Sequence, residues 1–221
     1  MEIIDQAVRE GRKTLSEYES KQLLARYGIP VTRERLVVNE EELQEALEEI
    51  GFPLVLKACS PGISHKTEKG LVQIDIRNKT EALETFDRIR SAVEDTEVPV
   101  LVQEMIRGER ELAMGMTRDP QFGPCVMFGL GGIFTEILKD TSFRVAPLER
   151  RDAMEMMEEI RAHRILGAVR GMEAADREIL ADALIALGKI GLENDEVKEI
   201  DVNPIILAGR QPVAVDALVV L

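Results

Sequence analysis

Residues Gly51 to Ile76 constrain the fold more than any other stretch. The apolar run Leu54-Val55-Leu56 ends in Lys57, and a loop with both proline and glycine, Pro61-Gly62, follows. That loop carries His65, one of only two histidines in the chain. Alternating apolar residues then resume in Leu71-Val72-Gln73-Ile74-Asp75-Ile76. The pattern reads as strand, functional loop, strand. A lysine at the inner end of an apolar strand is costly to bury unless it meets an anion. A phosphate would satisfy it, with the ammonium acting as a point charge. A snorkelling lysine on an edge strand accounts for the position equally well.

The chain has 221 residues, 45% of them hydrophobic, enough for one sizeable core or two small lobes. Lys and Arg number 28 against 41 Asp and Glu, a formal net charge of −13. Such an acidic surface argues against a bulk nucleic-acid or anionic-membrane binder. It leaves room for a nucleotide, whose phosphates need only a local basic pocket or a metal ion. No apolar run approaches the roughly 20 residues of a membrane span. The start, Met1-Glu2-Ile3-Ile4-Asp5, lacks the basic-then-apolar order of a secretory signal. Cys59 and Cys125 show no metal-ligand spacing and read as reduced thiols of a cytoplasmic protein. Tryptophan is absent, which argues against base stacking on exposed aromatics.

Periodicity and turn chemistry divide the chain further. Ser16-Glu17-Tyr18-Glu19 is a capping box that opens a helix, and Gly28 stops that helix before Ile29-Pro30. Asn39 with Glu42 opens another helix, reaching Ile50. A helix is expected over 79–93 and a buried strand over Pro99–Met105. Strands are expected over 108–116 and 124–128, with a short one near Arg144. Residues 150–166 and 174–191 have helical spacing, and a closing strand pair is expected near 197–202 and 213–215. Helices and strands alternate first and then cluster, which implies an α+β chain of two lobes. The expected parts are N-terminal helices over 1–26 packing on the larger lobe, a small lobe over 27–105 and a large lobe over 106–221.

Several further positions ask for a chemical reading. Asp216 lies among Val213, Val215, Leu218 and Val219, where a carboxylate is expensive unless paired or ligating a cation. Oxygen ligands of this kind suit Mg²⁺ when phosphate is near. Asn203-Pro204 precedes the same strand pair. Gly129-Leu130-Gly131-Gly132 could offer backbone N–H groups to a phosphate, although it lacks the lysine and Ser/Thr of a P-loop and could be only a tight turn. Gln103-Glu104 could be a solvated strand end, and Glu109 with Glu111 could mark an exposed strand face. A lone loop histidine such as His65 is more often solvated than chemical.

Taken together, the motifs resemble an ATP-grasp domain. More narrowly, they resemble the β subunit of ADP-forming acetate–CoA ligase, an NDP-forming acyl-CoA synthetase of the succinyl-CoA synthetase superfamily. The resemblance is carried by Ser20-Lys21-Gln22-Leu23-Leu24, Tyr27-Gly28-Ile29-Pro30, Val55-Leu56-Lys57 and Ser64-His65-Lys66-Thr67-Glu68-Lys69-Gly70. It continues through Val102-Gln103-Glu104-Met105, Glu111-Leu112, Gly129 to Glu136 and Asp201-Val202-Asn203-Pro204. It covers nearly the whole chain from about Leu15 onward.

The resemblance implies an ATP-grasp fold with the nucleotide site between two α+β lobes. It implies that Lys57 holds the α and β phosphates, and that Gln103, Glu104 and the Met105 backbone form an adenine-binding hinge. Glu111 would contact the ribose, Gly131 and Gly132 the phosphates, and Asn203 and Asp216 the Mg²⁺. His65 would carry a phosphoryl group, with Glu136 orienting the ring. ATP or ADP would be substrate. A CoA-binding α subunit, in an α2β2 assembly, would supply the thioester chemistry. A nucleotide-sensing module cut from a larger regulatory synthetase-like or acetyltransferase protein is the rival reading.

Overall fold

The computed structural model describes residues 2–60, 70–93, 98–132 and 139–221. The sequence expectations for His65 and Glu136 lie outside the described residues. The chain divides into two compact units, Thr32–Met105 and a larger one formed by Met1–Val31 with Ile106–Leu221.

The smaller unit holds an antiparallel four-stranded sheet in the order β1-β4-β2-β3. Its strands are β1 (Glu34–Val37), β2 (Leu54–Ala58), β3 (Val72–Ile76) and β4 (Val100–Glu104). Two of its helices are Glu40–Ile50 and Lys79–Ala92, whose N-cap side chains Asn39 and Asn78 accept from Glu42 N and Glu81 N. Leu43, Ala46, Leu47 and Ile50 of the first and Ala82, Phe86 and Ile89 of the second join Leu54, Leu56, Val100 and Val102 in one core. The i, i+3, i+4, i+7 spacing of those helix residues is what lets one face bury and leaves the other charged.

The larger unit holds a six-stranded sheet in the order β10-β8-β5-β6-β7, with β9 paired to β8. Its strands are β5 (Glu111–Asp119), β6 (Gly123–Leu130), β7 (Thr141–Val145), β8 (Glu199–Ala208), β9 (Gln211–Ala214) and β10 (Leu218–Val220). Helices α1 (Glu2–Arg9) and α2 (Glu17–Arg26) add Ile4, Ala7, Leu23 and Leu24 to the core of this unit. The capping box at Ser16 is complete, with Glu19 bonded back to the Ser16 backbone. Residues 27–31 belong with this unit and not with the smaller lobe in which they were expected. Ile29 is buried in its core, and Ala214 N–H donates to Pro30 O at 2.9 Å.

The helix expected over 150–166 is two elements. An α-helix runs Arg150–Glu159, and a 3₁₀ turn follows at His163–Leu166. Ile160 is extended between them, and the buried Asp140 carboxylate accepts the N–H groups of Arg161 and Ala162 at 2.8 Å each. Those donors are taken by a side chain, so the α-helical ladder ends there. The final helix, Arg177–Glu193, starts at the Asp176 cap, three residues later than periodicity implied. The closing strands run longer than expected, and β10 was not anticipated, being only three residues long.

Candidate active site

In the smaller unit, Lys57 lies on β2, which is flanked by β4 and β3. It stands opposite Leu101 and Val72 and is 6% exposed. The alternative of a snorkelling lysine on an edge strand therefore does not hold. Gln103 on β4 is fully buried. Glu104 is committed locally: its carboxylate accepts from Arg33 N at 2.8 Å and Arg33 Nε at 2.9 Å. The Met105 N–H donates to Pro53 O at 3.1 Å.

In the larger unit, the sheet builds the rest. Along β8 the buried residues Ile200 and Val202 alternate with Glu199 and Asp201 on the open face. Between Val202 and Ile205 the register against β5 slips by one residue, so that Asn203-Pro204 forms a bulge. Such an extra residue re-aims a side chain at a strand that is otherwise regular. The Asn203 Oδ1 accepts the Gly132 N–H at 3.1 Å. This bond identifies the oxygen end of the amide, which keeps a second lone pair for another partner.

The turn after β6 is tied to β5 as well. Gly131 N–H donates to Glu111 O at 2.9 Å. A Cβ on Gly131 would sit 2.4 Å from Leu112 O, a backbone atom, so only glycine lets the two strands approach this closely. A Cβ on Gly132 would fall 2.0 Å from Glu111 Oε2, and Gly132 has φ of +61°. The Glu111 carboxylate therefore lies directly over Gly132. Both glycine N–H groups are spent within the chain, whereas the sequence reading offered them to a phosphate.

Asp216 lies half-buried between β9 and β10. The preceding residue is bound to the Asn203 bulge, with Val215 N–H donating to Pro204 O at 3.0 Å. Sequence reasoning missed Asp201 as a member of this group. Desolvation, then the neighbouring carboxylates Glu199 and Asp216, push its carboxyl above the ordinary aspartate value. Its surface remains exposed, so the part of that rise that bears on chemistry is the crowding of carboxylates. The signal was available: Asp201 stands two residues before Asn203, on the same face of a strand.

The larger unit thus links Glu111, Gly132 and Asn203 through one turn and sets Asp201 near Asp216. Their donor set is all oxygen, an amide and carboxylates, which is the chemistry of a hard divalent cation. Among the described residues no three His, Cys, Asp or Glu side chains form a complete metal cage.

A family model described as an ATP-grasp domain matches residues 6–221. The chain belongs to the ATP-grasp family. The ATP-grasp chain is 48% identical to the β subunit of ADP-forming acetate–CoA ligase I from Pyrococcus furiosus, over 100% of this chain and 97% of the relative. It is 41% identical to acetate–CoA ligase [ADP-forming] I of Archaeoglobus fulgidus, where the match covers 92% of this chain and 30% of the longer relative. Among solved structures, it superposes on the dinucleotide-forming acetyl-coenzyme A synthetase 1 of Ca. Korarchaeum cryptofilum with a TM-score of 0.89 at 44% identity, covering 100% and 98% of the two chains. That structure holds coenzyme A and Mg-AMPPCP, with its phosphohistidine segment pointing towards the nucleotide-binding site. These findings agree with the resemblance carried by the sequence motifs. Among the described residues of the ATP-grasp chain, no helix is long and apolar enough to cross a membrane.

Proposed function

We propose that this chain is the nucleotide-binding β subunit of an ADP-forming acyl-CoA synthetase. It handles the nucleotide half of acyl-CoA + phosphate + ADP ⇌ acid + ATP + CoA. The observation that carries this reading is the bond from Gly132 N–H to Asn203 Oδ1. It fixes an amide oxygen beside the segment of Asp216, at the turn where Glu111 also lies. Mg²⁺, when bound, neutralises phosphate charge, and Asn203 and Asp216 would hold it. Lys57 neutralises the α and β phosphates. Gln103, Glu104 and the Met105 backbone recognise adenine, and Glu111 contacts the ribose. Gly131 and Gly132 act on the phosphates by holding Glu111 and Asn203 in place.

His65 is the phosphoryl carrier. A neutral imidazole nitrogen attacks the γ-phosphorus, the bond to the β,γ-bridging oxygen breaks, and ADP leaves. Glu136 orients the ring. CoA chemistry belongs to a separate α subunit, in an α2β2 assembly. The likeness to a relative named subunit β supports that division. The cytoplasmic location read from Cys59 and Cys125 is part of the same proposal.

The test is incubation of the chain with γ-labelled ATP and Mg²⁺. An acid-labile phosphohistidine is expected, lost in His65→Ala and kept in His163→Ala. Nucleotide binding without any label would overturn the phosphoryl-transfer role and leave a nucleotide-sensing module.

A further inference from the structure

One buried ion pair takes no part in this chemistry. Lys21 on α2 is 0% exposed and Glu17, one turn earlier, is 4% exposed. The Lys21 Nζ lies 3.0 Å from Glu17 Oε1. Burying two ions costs desolvation of both, and packed apolar residues of the same volume would stabilise the contact at least as well. The pair touches something more specific than a helix surface. Lys21 Nζ also donates to the carbonyl oxygen of Val215 at 3.3 Å. That carbonyl belongs to the peptide bond joining Val215 to Asp216. The Val215 N–H donates to Pro204 O, the residue after Asn203. Ser20, beside Lys21, accepts the Val219 N–H on its Oγ at 3.1 Å. The segment that carries Asp216 is therefore held by α2 at both ends and joined to the Asn203 bulge through Val215.

We propose that Lys21, aligned by Glu17, is a positioning residue for Asp216. By fixing the peptide plane of Asp216 it aims the carboxylate for the divalent cation that accompanies the nucleotide. The pair is thus a support for a ligand set contributed from β8 and from the link between β9 and β10, placed one contact away from it. The inference rests on the reading of Asn203 and Asp216 as cation ligands.

The test uses the full chain and compares ADP affinity in Mn²⁺ with ADP affinity in EDTA, by calorimetry. The spectrum of bound Mn²⁺ is recorded alongside. Lys21→Met leaves Glu17 buried without its ammonium, so Glu17→Gln/Lys21→Met, which removes both charges, decides if the single variant fails to fold. Loss of the support is expected to lower Mn²⁺ affinity about 10- to 100-fold. ADP affinity in EDTA should be unchanged, and the bound-Mn²⁺ spectrum should broaden. Asp216→Ala should show the same loss, and adding Lys21→Met to it should cost nothing more, because both act on one ligand. An unchanged metal enhancement in the Lys21 variants, with enhancement lost in Asp216→Ala, would make Lys21 merely structural and overturn the proposal. An unchanged enhancement in Asp216→Ala would instead overturn Asp216 as a ligand, and the proposal with it.

Discussion

At the scale of single residues, Lys57 and Asn203 carry the largest chemical information. Lys57 sits in a strand whose five residues are all buried. An ammonium there costs free energy to hold and has value only for the charge it meets. Lys57→Met keeps the volume and apolar stem and removes the charge. It is expected to leave the chain folded, while ADP affinity falls about tenfold or more, the scale of a charge-assisted phosphate contact. Calorimetry with ADP and a thermal melt of the same sample check both halves. Unchanged affinity would remove Lys57 from the phosphate site. Asn203 was legible as a polar residue before a proline. The identity of its partner was not, because Gly132 lies 71 residues away.

At the scale of elements, Asp140 decides how the 150–166 stretch folds. Sequence periodicity continues past Glu159, since Met156, Met157 and Ile160 are all buried. The helix stops because a carboxylate from before β7 captures two backbone donors just beyond Ile160. Asp140→Ala removes both acceptors from a buried position and is expected to cost about 2 kcal/mol. In a chain of this size that lowers the thermal midpoint by about 4–8 °C. Asp140→Asn retains one acceptor oxygen and should lose about half as much. A circular-dichroism melt distinguishes the two; equal midpoints for Asp140→Ala and the unaltered chain would show that the helix ends for another reason.

At the scale of the whole molecule, Arg110 ties together parts of the larger unit that are remote in sequence. Its guanidinium, 4% exposed, donates to the carbonyls of Ile165, Gly167, Glu173 and Gly209. Arginine suits this task because its planar fork presents five donors at fixed angles. Arg110→Met leaves several carbonyls short of a donor and is expected to cost about 3 kcal/mol or more. Hydrogen exchange is expected to speed in the 3₁₀ turn and at the β8–β9 turn. Unchanged exchange at both would mean that water replaces the arginine without loss.

The sequence by itself determined the features that depend on near neighbours. These are the strand that ends in Lys57, the capping boxes, the glycine turn, and the motif string by which the family was recognised. Each follows from a period of two or 3.6 residues, from a cap three residues away, or from backbone freedom at one glycine. Tertiary structure alone decided which polar groups are inside. Lys21 stood in a family motif on a helix and Arg110 in the strand expected over 108–116, and nothing local marked either of them, or Asp140, as buried. Their burial depends on carbonyls and N–H groups contributed by distant segments, as Val215 is to Lys21 and Gly209 to Arg110. The desolvation of a charge is set by everything folded around it, and no local pattern encodes that.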